Sequence, residues 1–137
     1  QEFIEKAQAV IRVHDDEKCE VRYIKSYLYT IISNLISNAI QYRSSSRTLQ
    51  LDVHVQKKEG YCQLIFKDNG VGIDLKQYQK QLFKPFRRVN RQNEGIGLGL
   101  YVINTMLEKN GGYVEVESQP GKGSSFRIYL KEYRNTA

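Results

Sequence analysis

Apolar residues recur along this chain at two spacings, and each spacing predicts one type of secondary structure. Over residues 25–42 they fall at i, i+3, i+4, i+7, i+8, i+11 and i+12, which is the stripe of an amphipathic helix. A shorter helix is predicted at 74–83 with Asp74 as its N-cap, and another at 99–110, where Gly111 and Gly112 provide a stop signal. The pattern therefore predicts about three helices.

Alternation of apolar and polar residues, bounded by turn residues, predicts the strands. Turns at 57–60 and 119–123 each join two strands into a hairpin. The order of strands and helices predicts an α+β fold, a two-layer α/β sandwich whose mixed sheet is covered on one face by the helices. The predicted strands are 8–13, 49–55, 61–67, 113–118 and 124–130.

Length and composition restrict the class of protein. With 137 residues, 40% hydrophobic and 26% charged, the chain is predicted to form one globular domain, neither disordered nor membrane-spanning. We assign residues 8–137 to this domain and interpret 1–7 as the end of an upstream helix or linker. The net charge of +6 invites a nucleic-acid hypothesis, but the basic residues are spread along the chain. No nucleic-acid partner is therefore predicted.

The two cysteines, Cys19 and Cys62, lie far apart and lack the spacing of a metal site. Cys62 alternates with apolar neighbours in a predicted strand. We therefore expect buried free thiols, and with them a reducing, cytoplasmic location.

The first candidate for chemistry is a carboxylate that precedes two glycines. Asp68 follows the apolar end of the strand at 61–67 and is followed by Gly70 and Gly72. A carboxylate held there can accept a hydrogen bond from the exocyclic amine of adenine. The alternative is an ordinary Asp-Asn-Gly hairpin turn, which the apolar continuation through Ile73 disfavours.

A second glycine cluster, with Gly95, Gly97 and Gly99, directly precedes a predicted helix. Free N–H groups and the positive dipole end of a helix attract phosphate. The spacing fits neither the dinucleotide-binding fingerprint nor the phosphate-binding P-loop. Between the two clusters, Phe83 and Phe86 flank a proline and precede the basic residues Arg87, Arg88 and Arg91. This stretch is interpreted as a lid over phosphate, or alternatively as a solvated loop with both phenylalanines in the core.

Two asparagines lie four residues apart on one face of the long helix. Asn is a poor helix former, so Asn34 and Asn38 in mid-helix call for a reason. An amide oxygen is a suitable ligand for Mg²⁺ that arrives with nucleotide phosphates. The alternative is that both merely edge the helix in solvent.

Taken together, these motifs resemble the ATP-binding catalytic domain of sensor histidine kinases. That family belongs with gyrase, the heat-shock chaperone ATPases and the mismatch-repair ATPases, which share the Bergerat fold. The resemblance covers residues 8–131. Segments 34–39, 68–73, 83–86, 95–100 and 121–126 are similar, in that order, to its N box, first glycine box, F box, second glycine box and final G-x-G-[ST]-x-F.

The resemblance implies ATP and Mg²⁺ as cofactors and assigns roles to single residues. Asn38 would bind the Mg²⁺–phosphate unit, Tyr42 would pack against adenine, and the Ser124 hydroxyl would support the Asp68 side of the site. The implied nucleotide-binding residues are Asn38, Tyr42, Asp68, Gly70, Gly72, Ile73, Phe83, Phe86, Arg87, Arg88, Gly95, Gly97, Leu98, Gly99, Leu100 and Ser124.

Asn34 is implied to distinguish a kinase from a hydrolase. Hydrolytic relatives carry a general-base Glu four residues before the Mg²⁺ ligand, whereas an amide cannot take a proton from water at neutral pH. Gln41 stands where these kinases often carry Lys. Gln41 therefore supports one alternative, a degenerate nucleotide-binding module acting through protein contacts. The other alternative is a hydrolytic gyrase-like ATPase, which Asn34 disfavours.

The resemblance also implies partners for the chain. His54 alternates within a predicted strand and is interpreted as a sheet residue, while His14 follows a short strand and lacks the long helix of a phosphoacceptor. The acceptor His would lie on a separate upstream dimerisation domain, in a protein that is a homodimer at full length. The isolated chain would be monomeric, and a response regulator receiver domain would take the phosphoryl group.

Overall fold

The fold combines one mixed sheet with helices on one of its faces. A computed structural model of the chain describes residues 10–15, 20–78 and 99–132. Within these ranges the helices are α1 (Lys25–Gln41), α2 (Leu75–Tyr78) and α3 (Gly99–Lys109). The strands are β1 (Val10–Asp15), β2 (Gln50–Lys58), β3 (Tyr61–Asp68), β4 (Tyr113–Gln119) and β5 (Gly123–Lys131).

The strands of the described ranges form a five-stranded sheet in the order β1-β2-β3-β5-β4. β1 pairs with β2 in parallel, and the other neighbours are antiparallel, so the predicted mixed sheet is confirmed. The chain order of β3, β4 and β5 differs from their spatial order, because β5 inserts between β3 and β4. This insertion brings the end of β3 beside the start of β5.

The core lies between the sheet and the two longer helices. Ile31 and Leu35 on α1, and Ile103 and Leu107 on α3, are each at most 2% exposed. Each pair is four residues apart, so one face of each helix packs inward, as the periodicity predicted. Leu75 of the single-turn α2 packs against the same cluster. The two-layer α/β sandwich is therefore confirmed, with most of the helical cover supplied by α1 and α3.

Several element boundaries differ from the predictions for a physical reason. β2 continues through Lys58, so the predicted turn at 57–60 contracts to Glu59 and Gly60, which have φ values of 48° and 87°. Two positive φ values are typical of the tight turn that matches strand twist, and pairing with β3 then extends to the end of β2. The predicted helix at 74–83 is described only over Leu75–Tyr78, and its remainder lies outside the described residues.

Both histidines lie on neighbouring strands. β1 extends through Asp15, so His14 lies within the strand and does not follow it. Its ring stacks on His54 with centroids 4.3 Å apart, and its Nε2 lies 3.2 Å from Oδ1 of Asp52. The interpretation of His54 as a sheet residue is confirmed by its place on β2.

The prediction of free thiols is wrong for Cys62. The side chain is 2% exposed on β3, as expected, but it is disulfide-bonded. A buried strand position suits a thiol and a disulfide equally well, so alternation could not distinguish them. The inference of a reducing compartment therefore loses its basis; Cys19 lies outside the described residues.

No helix within the described ranges is long and apolar enough to cross a bilayer.

Candidate functional site

Asp68 is the last residue of β3 and sits in the middle of the sheet. Its neighbours in register are Leu51 on β2 and Ser124 on β5. The residue is 8% exposed, and its Oδ1 accepts hydrogen bonds from the backbone N–H of Gly70 (2.9 Å) and of Ser124 (3.3 Å). No described residue donates to Oδ2. The carboxylate is therefore oriented through Oδ1, and Oδ2 is left without a donor from the described residues.

Burial is the dominant electrostatic influence on Asp68. It raises the pKa of the carboxyl group, and the backbone hydrogen bonds from Gly70 and Ser124 lower that pKa part of the way back. Oδ2 has no donor among the described residues and is not one of the fully buried unpaired atoms, so solvent or a ligand can reach it. A ligand N–H that reaches Oδ2 would supply the hydrogen bond that the described residues do not provide.

Gly70 lets this loop approach the C-terminal end of α1 closely. Tyr42 follows the helix, and its carbonyl accepts a hydrogen bond from the N–H of Val71 at 2.8 Å. A Cβ atom on Gly70 would overlap with the Tyr42 carbonyl oxygen. Because Gly70 has no side chain, the loop after Asp68 can pack directly against the backbone of Tyr42. Asp68 and Tyr42 therefore lie on the same side of the fold.

Gly70→Ala is expected to lower the free energy of unfolding by about 1–3 kcal/mol, because the new methyl group must displace the Tyr42 backbone. Urea denaturation measures this change. Gly121→Ala is the matched control, since a Cβ there meets no atom within 4 Å and only the φ of 80° opposes it. A Gly70→Ala variant as stable as the wild type would contradict the close contact.

Ser118 organises the loop on the β4 side of Asp68. Its Oγ accepts from the N–H of Ile73 at 2.7 Å and donates to the carbonyl of Gly123 at 3.0 Å. The Ser124 hydroxyl lies 2.7 Å from the same Oγ, and since Ser118 has only one proton to give, Ser124 is the donor. The direct contact of Ser124 with Asp68 therefore comes from its backbone N–H. The predicted support of the site by the Ser124 hydroxyl stays a prediction.

The two asparagines of α1 are both half-buried. The Nδ2 atom of Asn38 is fully buried and has no hydrogen-bond partner among the described residues. Buried amide groups are normally paired, so Nδ2 of Asn38 is a donor that lacks an acceptor among the described residues. No three His, Cys, Asp or Glu side chains of the described ranges gather into a metal site. A cation held here would thus depend on an amide oxygen and on groups that arrive with a ligand.

The predicted phosphate end is described only at the start of α3. The helix is described from Gly99, and Leu100 is 9% exposed and belongs to the core. Leu100 can therefore meet a phosphate only through its backbone N–H. The predicted binding residues that lie outside the described ranges are Phe83, Phe86, Arg87, Arg88, Gly95, Gly97 and Leu98.

The family comparison extends over most of the chain. Residues 24–134 match the family model described as histidine kinase-, DNA gyrase B-, and HSP90-like ATPase. The chain belongs to this family. Among its curated members, the chain is 39% identical over 110 residues to the sensor histidine kinase RppB of Synechocystis and 36% identical over 110 residues to the sensor-like histidine kinase SenX3 of Mycolicibacterium smegmatis. Each alignment covers 77% of this chain, but only 24% and 28% of the respective relative.

Solved structures of the family share the fold. The mycobacterial sensor histidine kinase MprB superposes with a TM-score of 0.78 at 22% identity, covering 98% of this chain and 96% of that one. Full-length ShkA, solved in complex with AMPPNP, gives a TM-score of 0.81 at 19% identity and covers 99% of this chain and 28% of that one. The resemblance read from the five motifs is thus confirmed: this is an ATP-binding domain of the sensor histidine kinase type.

Three residues that hold the loop around Asp68 were not predicted from the sequence. They are Ser118, Asn69 and Arg47, and each acts through hydrogen bonds to backbone groups of the Asp68–Gly72 loop or its neighbours. Alternation in β4 places Ser118 on the half-buried face, which is the only signal the sequence offers for it. Nothing in the sequence around Arg47 or Asn69 indicates their partners.

Proposed function

We propose that this chain presents Mg²⁺–ATP for transfer of the γ-phosphoryl group to a histidine on a separate dimerisation domain. The observation that carries the proposal is the buried Asp68 carboxylate, which two backbone N–H groups orient while Oδ2 receives no donor from the described residues. Such an oxygen fits the exocyclic amine of adenine. It repels the carbonyl oxygen that guanine carries at the same place, so it selects ATP over GTP.

The metal ion of this site would be Mg²⁺, held by Asn38. The Asn38 amide has a buried, unpaired Nδ2 and an Oδ1 of the hard, neutral kind that Mg²⁺ accepts. When bound, Mg²⁺ would neutralise negative charge on the phosphate groups. Tyr42 lies beside the Asp68 loop, where its ring would pack on adenine, and the N-terminus of α3 would face phosphate.

Asn34 directs the reaction toward transfer. It stands one helical turn before Asn38, and its amide cannot act as a general base toward water. Without a base, the nucleotide is held until an external nucleophile arrives, and positioning supplies most of the catalysis. The acceptor would be a histidine of an upstream dimerisation domain, and a response regulator receiver domain would take the phosphoryl group from it.

Calorimetry on the isolated chain tests this function. We expect one equivalent of ADP to bind in the presence of Mg²⁺ and GDP to bind far more weakly, because Asp68 repels guanine. In the same preparation, hydrolysis of ATP is expected to stay at the level of an Asn38→Ala control. No ADP binding at millimolar concentration would contradict the proposal.

The two alternatives give different outcomes in these assays. Turnover that Asn38→Ala abolishes would favour a hydrolytic ATPase. Weak nucleotide binding without transfer of labelled phosphate to a phosphoacceptor domain would favour a regulatory module, for which the glutamine at position 41 is the supporting feature.

A further inference from the structure

Arg47 joins two loops at the proposed adenine end of the site. It lies between α1 and β2, and its guanidinium donates to three backbone carbonyls. Nε bonds the oxygen of Asn69 at 2.7 Å, while Nη2 bonds those of Gly70 at 2.8 Å and Gly121 at 3.1 Å. The planar fork of an arginine can serve several acceptors at once, and its charge strengthens each bond.

Two of these carbonyls belong to peptide groups that hold proposed adenine contacts. The peptide between Asn69 and Gly70 gives its oxygen to Arg47 and its N–H to Oδ1 of Asp68, at 2.9 Å. The next peptide gives the Gly70 oxygen to Arg47 and the Val71 N–H to the Tyr42 carbonyl, at 2.8 Å. Because a peptide group is planar, a bond that holds its oxygen also sets the direction of its N–H.

The side chain of Asn69 holds the same loop from the other direction. Its Nδ2 donates to the carbonyl of Thr48 at 3.0 Å, and its Oδ1 accepts from the N–H of Gln50 at 2.8 Å. The loop and the segment around Arg47 are therefore bonded reciprocally. The β4–β5 turn joins them, since the N–H of Gly121 donates to the Val71 carbonyl at 2.7 Å.

We propose that Arg47 is a positioning residue for adenine recognition: through the two peptide groups around Gly70 it orients the Asp68 carboxylate and the backbone of Tyr42. It does not touch the nucleotide. The proposal rests on the proposed function, because it assigns Arg47 to the adenine end of that same site. Arg47 is exposed, so its replacement leaves the core intact.

Arg43 provides a matched control for charge and location. It lies four residues earlier in the same loop, is also exposed, and donates through Nη1 to the Ile40 carbonyl in the last turn of α1 at 2.7 Å. Arg47→Met and Arg43→Met each remove one positive charge from this region. Only the first removes bonds to the Asp68 loop.

The test is the affinity of the chain for ADP and GDP, measured by calorimetry with Mg²⁺. Arg47→Met is expected to weaken ADP binding about tenfold and to lower the ratio of ADP to GDP affinity, whereas Arg43→Met stays near the wild type. Arg47→Lys keeps the charge but cannot reach three carbonyls, so it is expected to restore only part of the loss. In the free chain, hydrogen exchange at the N–H groups of Gly70 and Val71 is expected to quicken in Arg47→Met alone.

Each outcome decides between the two proposals. An unchanged ADP affinity and selectivity in Arg47→Met, beside a wild type that binds ADP, would overturn the role of Arg47 and leave the proposed function standing. A lower melting temperature without a change in affinity or selectivity would likewise show a purely structural residue. A wild type that binds no ADP would overturn the proposed function, and this inference with it.

Discussion

Asp68→Asn is expected to weaken adenine-nucleotide binding by about 100-fold or more, while the fold persists. The asparagine keeps an oxygen at Oδ1 that can accept from the N–H groups of Gly70 and Ser124. Its NH₂ group, however, replaces Oδ2 and faces the adenine amine, so a charge-assisted hydrogen bond becomes a contact between two donors. Calorimetry with ADP and Mg²⁺ measures the loss.

Asp74→Asn is the matched control for this variant. Asp74 lies six residues further along the same loop, but its side chain is exposed. Asp74→Asn removes the same negative charge but leaves the buried Asp68 carboxylate in place. Equal losses in both variants would show a general charge effect, and an unchanged affinity in Asp68→Asn would remove Asp68 from the adenine site.

Asp68→Asn is also expected to stabilise the nucleotide-free chain at neutral pH. Because burial raises the pKa of Asp68 above its ordinary value of 3.8, the folded state binds more protons than the unfolded state between the two pKa values. The contribution of the Asp68 carboxyl group to the free energy of unfolding therefore falls as pH rises through that window. Asp68→Asn has no group that titrates there, so it does not lose this stability. Urea denaturation at pH 3.5 and pH 7 should show a larger advantage of the variant at pH 7. The opposite order would contradict the direction of the pKa shift.

Asn38→Ala is expected to abolish the Mg²⁺ dependence of nucleotide binding. The amide oxygen of Asn38 is the proposed protein ligand, and no described group of three His, Cys, Asp or Glu residues can replace it. Charge neutralisation by a bound metal ion contributes several kcal/mol, so phosphoryl transfer should fall by about 100-fold or more. The ratio of ADP affinity with Mg²⁺ to that with chelator should approach one.

Asn104→Ala is the control for a mid-helix asparagine. Asn104 lies in α3 and donates to Glu108 on its own helix at 3.2 Å. Its removal should leave the Mg²⁺ dependence intact. Since Nδ2 of Asn38 is buried without a described partner, Asn38→Ala should also keep its melting temperature. A retained Mg²⁺ dependence would place the metal ligand elsewhere.

The periodic elements were predictable because their signals are local. The stripe of α1 predicted residues 25–42, and the helix spans Lys25–Gln41. For α3 the glycine stop was also correct, since the N–H of Gly112 returns to the Leu107 carbonyl at 2.8 Å. The turn at 57–60 was too long, because the length of β2 depends on its pairing with β3 and not on its own polarity.

Non-local contacts were beyond the reach of the sequence. The bonds of Arg47 span 22 residues to Asn69 and 74 residues to Gly121. Cys62 carried the signature of a buried strand residue, which is the same for a thiol and for half of a disulfide. Ser118 stood out only as one half-buried position among several in an alternating strand.

By itself, the sequence determined the family of this chain and predicted its chemistry from three features: the carboxylate before two glycines, the paired asparagines of one helix face and the absence of a glutamate at position 34. These signals survive without coordinates because the residue type states the chemistry and the spacing along one element states the geometry. Only the tertiary structure decided how the Asp68 carboxylate is oriented, with Oδ1 bonded and Oδ2 without a donor from the described residues, and which distant residue bonds to its loop. Those facts depend on hydrogen bonds between segments far apart in the chain, and no local pattern encodes such bonds.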